Sequence, residues 1–136
     1  MKRTASCSCG QLAIAVVGDP LQVLVCHCFE CQKASGNVFG SWAYWLNSAV
    51  ESATGKATLY RRGSELAGHV DSYFCPNCGS TVYGDSESVP GQTAIAIGNF
   101  ADPSFEPPSL AVWAENRHRW VQWPADLQEF PKQSAR

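Results

Sequence analysis

The sequence predicts a mainly β domain of several small antiparallel sheets, with metal ties replacing part of a hydrophobic core. Three observations lead there. Its apolar segments are short, rich in β-branched and aromatic residues, and bounded by glycine, proline and asparagine. Only two stretches have the character of a helical turn. Seven cysteines occur in 136 residues, and they are grouped rather than scattered.

The elements follow in order. Gln11–Val17 (QLAIAVV) and Leu21–Val25 (LQVLV) read as strands, joined across Gly18-Asp19-Pro20 by a hairpin or tight turn. Glu30–Ala34 reads as a helical turn. Ser41–Leu46 (SWAYWL) is aromatic and strand-like, and Thr58–Arg61 and His69–Phe74 are two more short strands. Ser80–Tyr83 follows a cysteine knuckle, Thr93–Ile97 (TAIAI) is an apolar strand, and Leu110–Trp113 and Trp120–Trp123 complete the set. Ala125–Glu129 is the second helical turn. After Phe100, Pro103, Pro107 and Pro108 mark an irregular crossing loop, and Trp113, Trp120 and Trp123 read as residues that dock it on the body. The expected organisation is one domain over 1–136, with a loose tail at 131–136.

Composition excludes several classes of function. A net charge of −2 and a pI near 5.9 give no basic face for nucleic acid. No apolar run approaches the ~20 residues of a membrane span. The apolar stretch nearest the start, Leu12–Val17, is short and follows two cysteines, unlike a secretory signal. A cytoplasmic protein is the expectation. An odd cysteine count in that compartment argues against a disulfide framework and for metal binding.

The cysteines fall into Cys7-Ser8-Cys9, Cys26-His27-Cys28-Phe29-Glu30-Cys31 and Cys75-Pro76-Asn77-Cys78. The last is a C-x-x-C knuckle followed by Gly79. One knuckle fills two tetrahedral positions, so it needs the pair Cys7 and Cys9 to close a four-cysteine zinc site. Cys26, Cys28 and Cys31 can hold a second metal from one loop. Four protein ligands make a closed structural site, whereas three leave a position for water or substrate. Iron–sulfur clusters want four cysteines each, and only one such set exists. A zinc deaminase reading fails because Pro76 follows its cysteine instead of preceding it. Two zinc ions per chain are therefore expected.

These groups, with Gln32-Lys33-Ala34-Ser35-Gly36 after the triad, resemble the glutathione-dependent formaldehyde-activating enzyme family. That family shares its domain with centromere protein V. Phe74 to Ser80, Gly98-Asn99-Phe100-Ala101-Asp102-Pro103 and Trp113 fit as well, so the resemblance runs from about residue 6 to 120. It implies an Mss4-like zinc-binding fold of several small antiparallel sheets tied by zinc. It implies the same partition: Cys7, Cys9, Cys75 and Cys78 structural, Cys26, Cys28 and Cys31 catalytic. The implied activity is carbon–sulfur lyase chemistry, condensing formaldehyde with glutathione to S-(hydroxymethyl)glutathione. The cytoskeletal and chromatin roles of the centromere relative, which go with a basic extension, are not expected of this chain.

Charge bounds the chemistry. Three thiolates on Zn²⁺ leave a core of −1, which acidifies bound water less than three neutral imidazoles would. Exchange of a thiolate, or polarisation of a small carbonyl, suits the site better than hydrolysis. Glu30, inside the loop, is either a proton relay or a solvated carboxylate. His27 reads as a knuckle residue bonded to backbone. Lys33, beside the triad, is the first candidate to hold an anionic ligand, followed by Arg61, Arg62, Arg117 and Arg119. His69 and His118 have no motif context. The alternatives are a non-catalytic zinc module with a protein partner, and a lyase acting on a thiol other than glutathione.

Overall fold

The computed structural model describes residues 1–64 and 68–133, and these are mainly β. In chain order the first strands are β1 (Lys2–Ser6), β2 (Ala13–Val17) and β3 (Gln22–Cys26), followed by helix α1 (Phe29–Ser35) and β4 (Gly40–Leu46). Then come β5 (Val50–Thr54), β6 (Thr58–Ser64), β7 (Gly68–Phe74) and β8 (Thr81–Ser86). The last are β9 (Gln92–Ala96), β10 (Leu110–Val112) and β11 (Gln128–Glu129). No helix among the described residues is long and apolar enough to cross a membrane.

One sheet has three antiparallel strands in the order β1-β2-β5. The other has eight, in the order β11-β10-β3-β4-β9-β8-β7-β6. Its pairings are antiparallel except those of β10, which runs parallel to both β3 and β11. Gly18-Asp19-Pro20 makes a sharp turn with Gly18 at φ 85°, but not a hairpin. It carries the chain from one sheet to the other, because β2 pairs with β1 and β5 while β3 pairs with β4 and β10. Two further expectations are corrected. Trp120–Trp123 is irregular, with Val121 buried in a turn closed by its N–H on the His118 carbonyl. Ala125–Glu129 is a turn leading into β11, not a helical one. The end of the described chain is held down, since Trp113 donates from its backbone N–H to Lys132 and from its indole to Gln133. Residues 134–136 of the expected loose tail lie outside the described residues.

The main core lies between the sheets. Leu12, Ile14, Val16, Val23, Val82 and Ile95 surround Trp45, with Cys7 and Cys75 in the same cluster. Trp45 is 1% exposed, its indole donates to the Gly18 carbonyl at 3.1 Å, and Phe100 and Phe105 pack on its ring. Trp45→Ala should therefore cost about 3–5 kcal/mol, measurable as a lower urea midpoint at unchanged slope.

The large sheet curls. β6 stands five strands from β3, about 24 Å along a flat sheet, yet residues of both line one pocket. The directly opposed row Tyr44–Ala94–Gly84–Ser72–Tyr60 is small in the middle and aromatic at both ends. Gly84 cannot be larger, because a Cβ there would run into the Asp71 carbonyl on the neighbouring strand. The row forms a trough across the sheet.

Candidate metal centre

The first cysteine cluster joins two turns that are far apart in sequence. Cys7 and Cys9 leave β1, with Gly10 at φ 86° bending the chain so that its N–H reaches the Cys7 carbonyl. Cys75 and Cys78 follow β7, and Gly79 at φ 79° does the same at the Cys75 carbonyl. The four sulfurs lie within 4.8 Å of one another, with Cys7–Cys9 at 3.6 Å and Cys9–Cys75 at 3.7 Å. A tetrahedral ion with bonds of about 2.3 Å to sulfur requires edges of about 3.8 Å. Both of these edges match that value, and the four sulfurs are close enough together to share one ion. Backbone N–H groups of Leu12 and Asn77 donate to Cys7 and Cys75 at 3.3 Å each. Gln11 donates to Cys75 Sγ at 3.0 Å and to the Lys56 carbonyl, clamping the turn before β6 onto the cluster. Sequence reasoning missed Gln11, which carries no motif signal.

The cluster is already polarised. Hydrogen bonds from the Ser80 hydroxyl and backbone hold the Cys78 thiol down at about 5. At Cys9 the Gln11 backbone pulls the other way, but burial and the neighbouring thiols outweigh it and push the thiol up to about 11. A metal bound here must displace protons, so its affinity rises with pH.

The second cluster is local. Cys26 ends β3, which is buried on both faces between β4 and β10. Cys28 caps α1, its sulfur accepting from the Cys31 N–H at 3.3 Å, and Cys31 is the helix's buried residue. Gly36, at φ 67°, ends the helix by donating to the Gln32 carbonyl. Gly40, opposite Cys26, gives Cys31 room, since a Cβ on Gly40 would stand 3.3 Å from the Cys31 Cβ. The three sulfurs lie within 4.8 Å of one another. Among the described residues no fourth His, Cys, Asp or Glu ligand atom joins them.

Hydrogen bonding within the triad concentrates charge on Cys28. Bonds from Cys26 and Cys31 hold its thiol far below the ordinary range, and the Arg62 guanidinium adds to this. The Cys28 and Cys31 bonds, with burial, drive Cys26 up. Cys31 is pulled down by Cys26, but Cys28 and burial outweigh that and leave it raised.

The triad opens onto a pocket of about 450 Å³, with Leu24, Trp42, Tyr44 and Trp113 among its walls. Glu30 lines it and is exposed. Lys33 is exposed in the last turn of α1 and does not line the pocket. Arg62 does. Arg61, one residue away, instead makes a two-pronged pair with buried Asp71 at 2.7 and 2.9 Å. Arg117 reaches the Val121 carbonyl and Glu129, and Arg119 is exposed. His69 pairs with Glu87, and His118 meets Gln32 Oε1.

His27 turns away from the triad. It is fully buried against Phe39 and Trp123, whose indole donates to Nε2 at 3.0 Å, and burial lowers its pKa. Gln32, another residue the sequence did not single out, donates to the His27 and Asn116 carbonyls and ties α1 to the C-terminal segment.

Hydrogen bonds from Arg61 hold the Asp71 carboxyl below the usual range. A depressed acid stabilises the fold above its unfolded pKa of about 3.9 and loses that contribution as pH falls through its folded value. Arg61→Gln should therefore be less stable at neutral pH, with the gap to the parent closing on acidification. Denaturant midpoints across that range check this.

A model of the family described as glutathione-dependent formaldehyde-activating enzyme matches residues 2–116. The chain belongs to this family. No curated protein matches the sequence. Among solved structures, a Rhodobacter sphaeroides protein from the Northeast Structural Genomics programme is similar, with a TM-score of 0.58 and 21% identity. The match covers 76% of this chain and 91% of that one. At that identity the likeness speaks for the fold. The glutathione-dependent formaldehyde-activating family match spans both cysteine clusters and the strands that line the pocket.

Proposed function

We propose that this chain is a zinc-dependent carbon–sulfur lyase-type enzyme resembling S-(hydroxymethyl)glutathione synthase. It would join formaldehyde to the thiol of glutathione, or of a closely related small molecule, and release it again. One observation carries the reading: three converging cysteines face a pocket with no fourth protein ligand among the described residues, while a separate set of four closes on itself. The family match supports the substrate pair.

Zinc held by Cys26, Cys28 and Cys31 would supply a Lewis acid with one coordination position that protein sulfur does not fill. The chain does the rest. β3 and α1 fix the three sulfurs, and Gly40 keeps their approach clear. Trp42, Trp113 and Leu24 narrow the pocket with apolar surface, limiting competition from water. In the forward direction the substrate sulfur attacks the aldehyde carbon, a C–S bond forms and the C=O π bond opens. The thiol proton must pass to the new hydroxyl oxygen, and Glu30, which lines the pocket, would carry it. All seven cysteines are free, which suits the reducing cytoplasm, the compartment we assign.

Exchange spectroscopy by proton NMR on formaldehyde–glutathione mixtures tests the reading. Zinc-loaded protein should accelerate exchange between free thiol and hydroxymethyl adduct above the spontaneous rate. Exchange no faster than in buffer would end it.

A further inference from the structure

We propose that Arg62 anchors a carboxylate of the thiol substrate, so that the pocket selects anionic thiols over neutral ones of equal size. The proposal rests on the thiol chemistry above and specifies which thiols that chemistry serves.

The first observation is a process of elimination. Arg62 is the one Lys or Arg among the described residues that lines the triad's pocket. Its neighbour Arg61 is committed to Asp71, and Arg3 is committed to Asp19 and Glu106. Arg62 has no hydrogen-bond or ion-pair partner among the described residues. A half-buried guanidinium with free donors matches a carboxylate in both charge and fork geometry.

The second observation is size. A one-carbon aldehyde and a bare thiol would leave most of about 450 Å³ unfilled. Arg62 enters from β6 at the edge of the sheet, and Cys26 sits at the end of β3, with the small-residue trough between. A ligand that reached both would carry its thiol at one end and its acid at the other.

The third is charge balance. A substrate thiolate added to three cysteine thiolates takes a zinc core to −2, and Glu30 lines the same pocket. An acidic ligand entering there needs a cation. Lys33 is not placed to give it, and Arg62 is.

A competing role is available: Arg62 could merely offset the charge of the metal centre. The two roles differ in what they discriminate. An anchor reads the ligand's carboxylate, whereas an offset affects every thiol alike and the zinc content too.

The test uses the full zinc-loaded chain and follows binding by calorimetry and by the fluorescence of the pocket tryptophans. The probes are 6-mercaptohexanoate and 6-mercaptohexan-1-ol, longer thiols that differ in the acid alone. The parent should prefer the acid by about tenfold or more, the range of a charge-assisted hydrogen bond. Arg62→Gln should abolish the preference at unchanged zinc content, and Arg62→Lys should restore part of it. No preference in the parent, a preference that survives in Arg62→Gln, or equal weakening of both probes with loss of zinc would overturn the proposal. Glutathione and S-methylglutathione separate this from the parent reading. If they bind equally and Arg62→Gln weakens both, the anchor stands and thiol ligation falls. Thiol-dependent binding that ignores Arg62→Gln does the reverse, and no binding at millimolar concentration ends both.

Discussion

Cys75→Ser or Cys9→Ser should leave the chain largely unfolded, whereas Cys28→Ser should leave it folded. The four-cysteine cluster ties residues 66 positions apart and joins the end of β1 to the end of β7. Two of its members, Cys7 and Cys75, are buried in the main core beside Trp45. Structural zinc contributes an apparent ~10–16 kcal/mol in small domains, as much as or more than a domain's net stability of about 5–15 kcal/mol. Removing one ligand forfeits much of that, and it leaves buried thiols without their ion. The triad closes only a short loop already organised by β3, α1 and β10, so its loss costs the fold far less. Thermal unfolding by circular dichroism, with zinc content measured alongside, gives the comparison. A Cys28→Ser protein less stable than Cys75→Ser would exchange the two roles.

The second large effect is functional. Cys28→Ser should lower bound zinc from two equivalents to one and return formaldehyde–thiol exchange to its spontaneous rate. Cys28 is the triad member whose thiol its neighbours push downward, and it also caps α1. Serine can still cap the helix, so the fold survives while the sulfur donor is lost. Acid should release the same zinc first, because only three ligands hold it and two of those thiols resist deprotonation. Catalysis persisting in a Cys28→Ser protein that holds one zinc would separate the chemistry from the triad.

Both cysteine sets were legible in the sequence because metal-ligand spacing is local and chemically narrow. The fold class was legible too, since β3, β4, β8 and β9 are each a short run of branched or aromatic residues between turn signals. β1 and β5 were not. Lys2–Ser6 and Val50–Thr54 are polar strands of the smaller sheet, β5 exposed along most of its length, and neither shows an apolar alternation. The route from β2 to β3 stayed open between a hairpin and a tight turn for a related reason: Gly-Asp-Pro specifies a turn, while the choice of pairing partner depends on β4, β5 and β10, which lie far along the chain. The cation at the pocket was hidden in the same way. Lys33 adjoins the triad in sequence but sits at the exposed end of α1, whereas Arg62 reaches the pocket only because the large sheet curls. Proximity along the chain was enough to group the cysteines that converge in space, but not to find the cation that lines the pocket.

Zinc-edge X-ray absorption of the zinc-loaded protein, recorded with and without glutathione, addresses the triad's open position directly. Glutathione should add a sulfur neighbour at about 2.3 Å, and S-methylglutathione should not. The gain should disappear in Cys28→Ser. A sulfur shell unchanged by glutathione, in protein confirmed to hold both zinc ions, would contradict thiol chemistry at Cys26, Cys28 and Cys31.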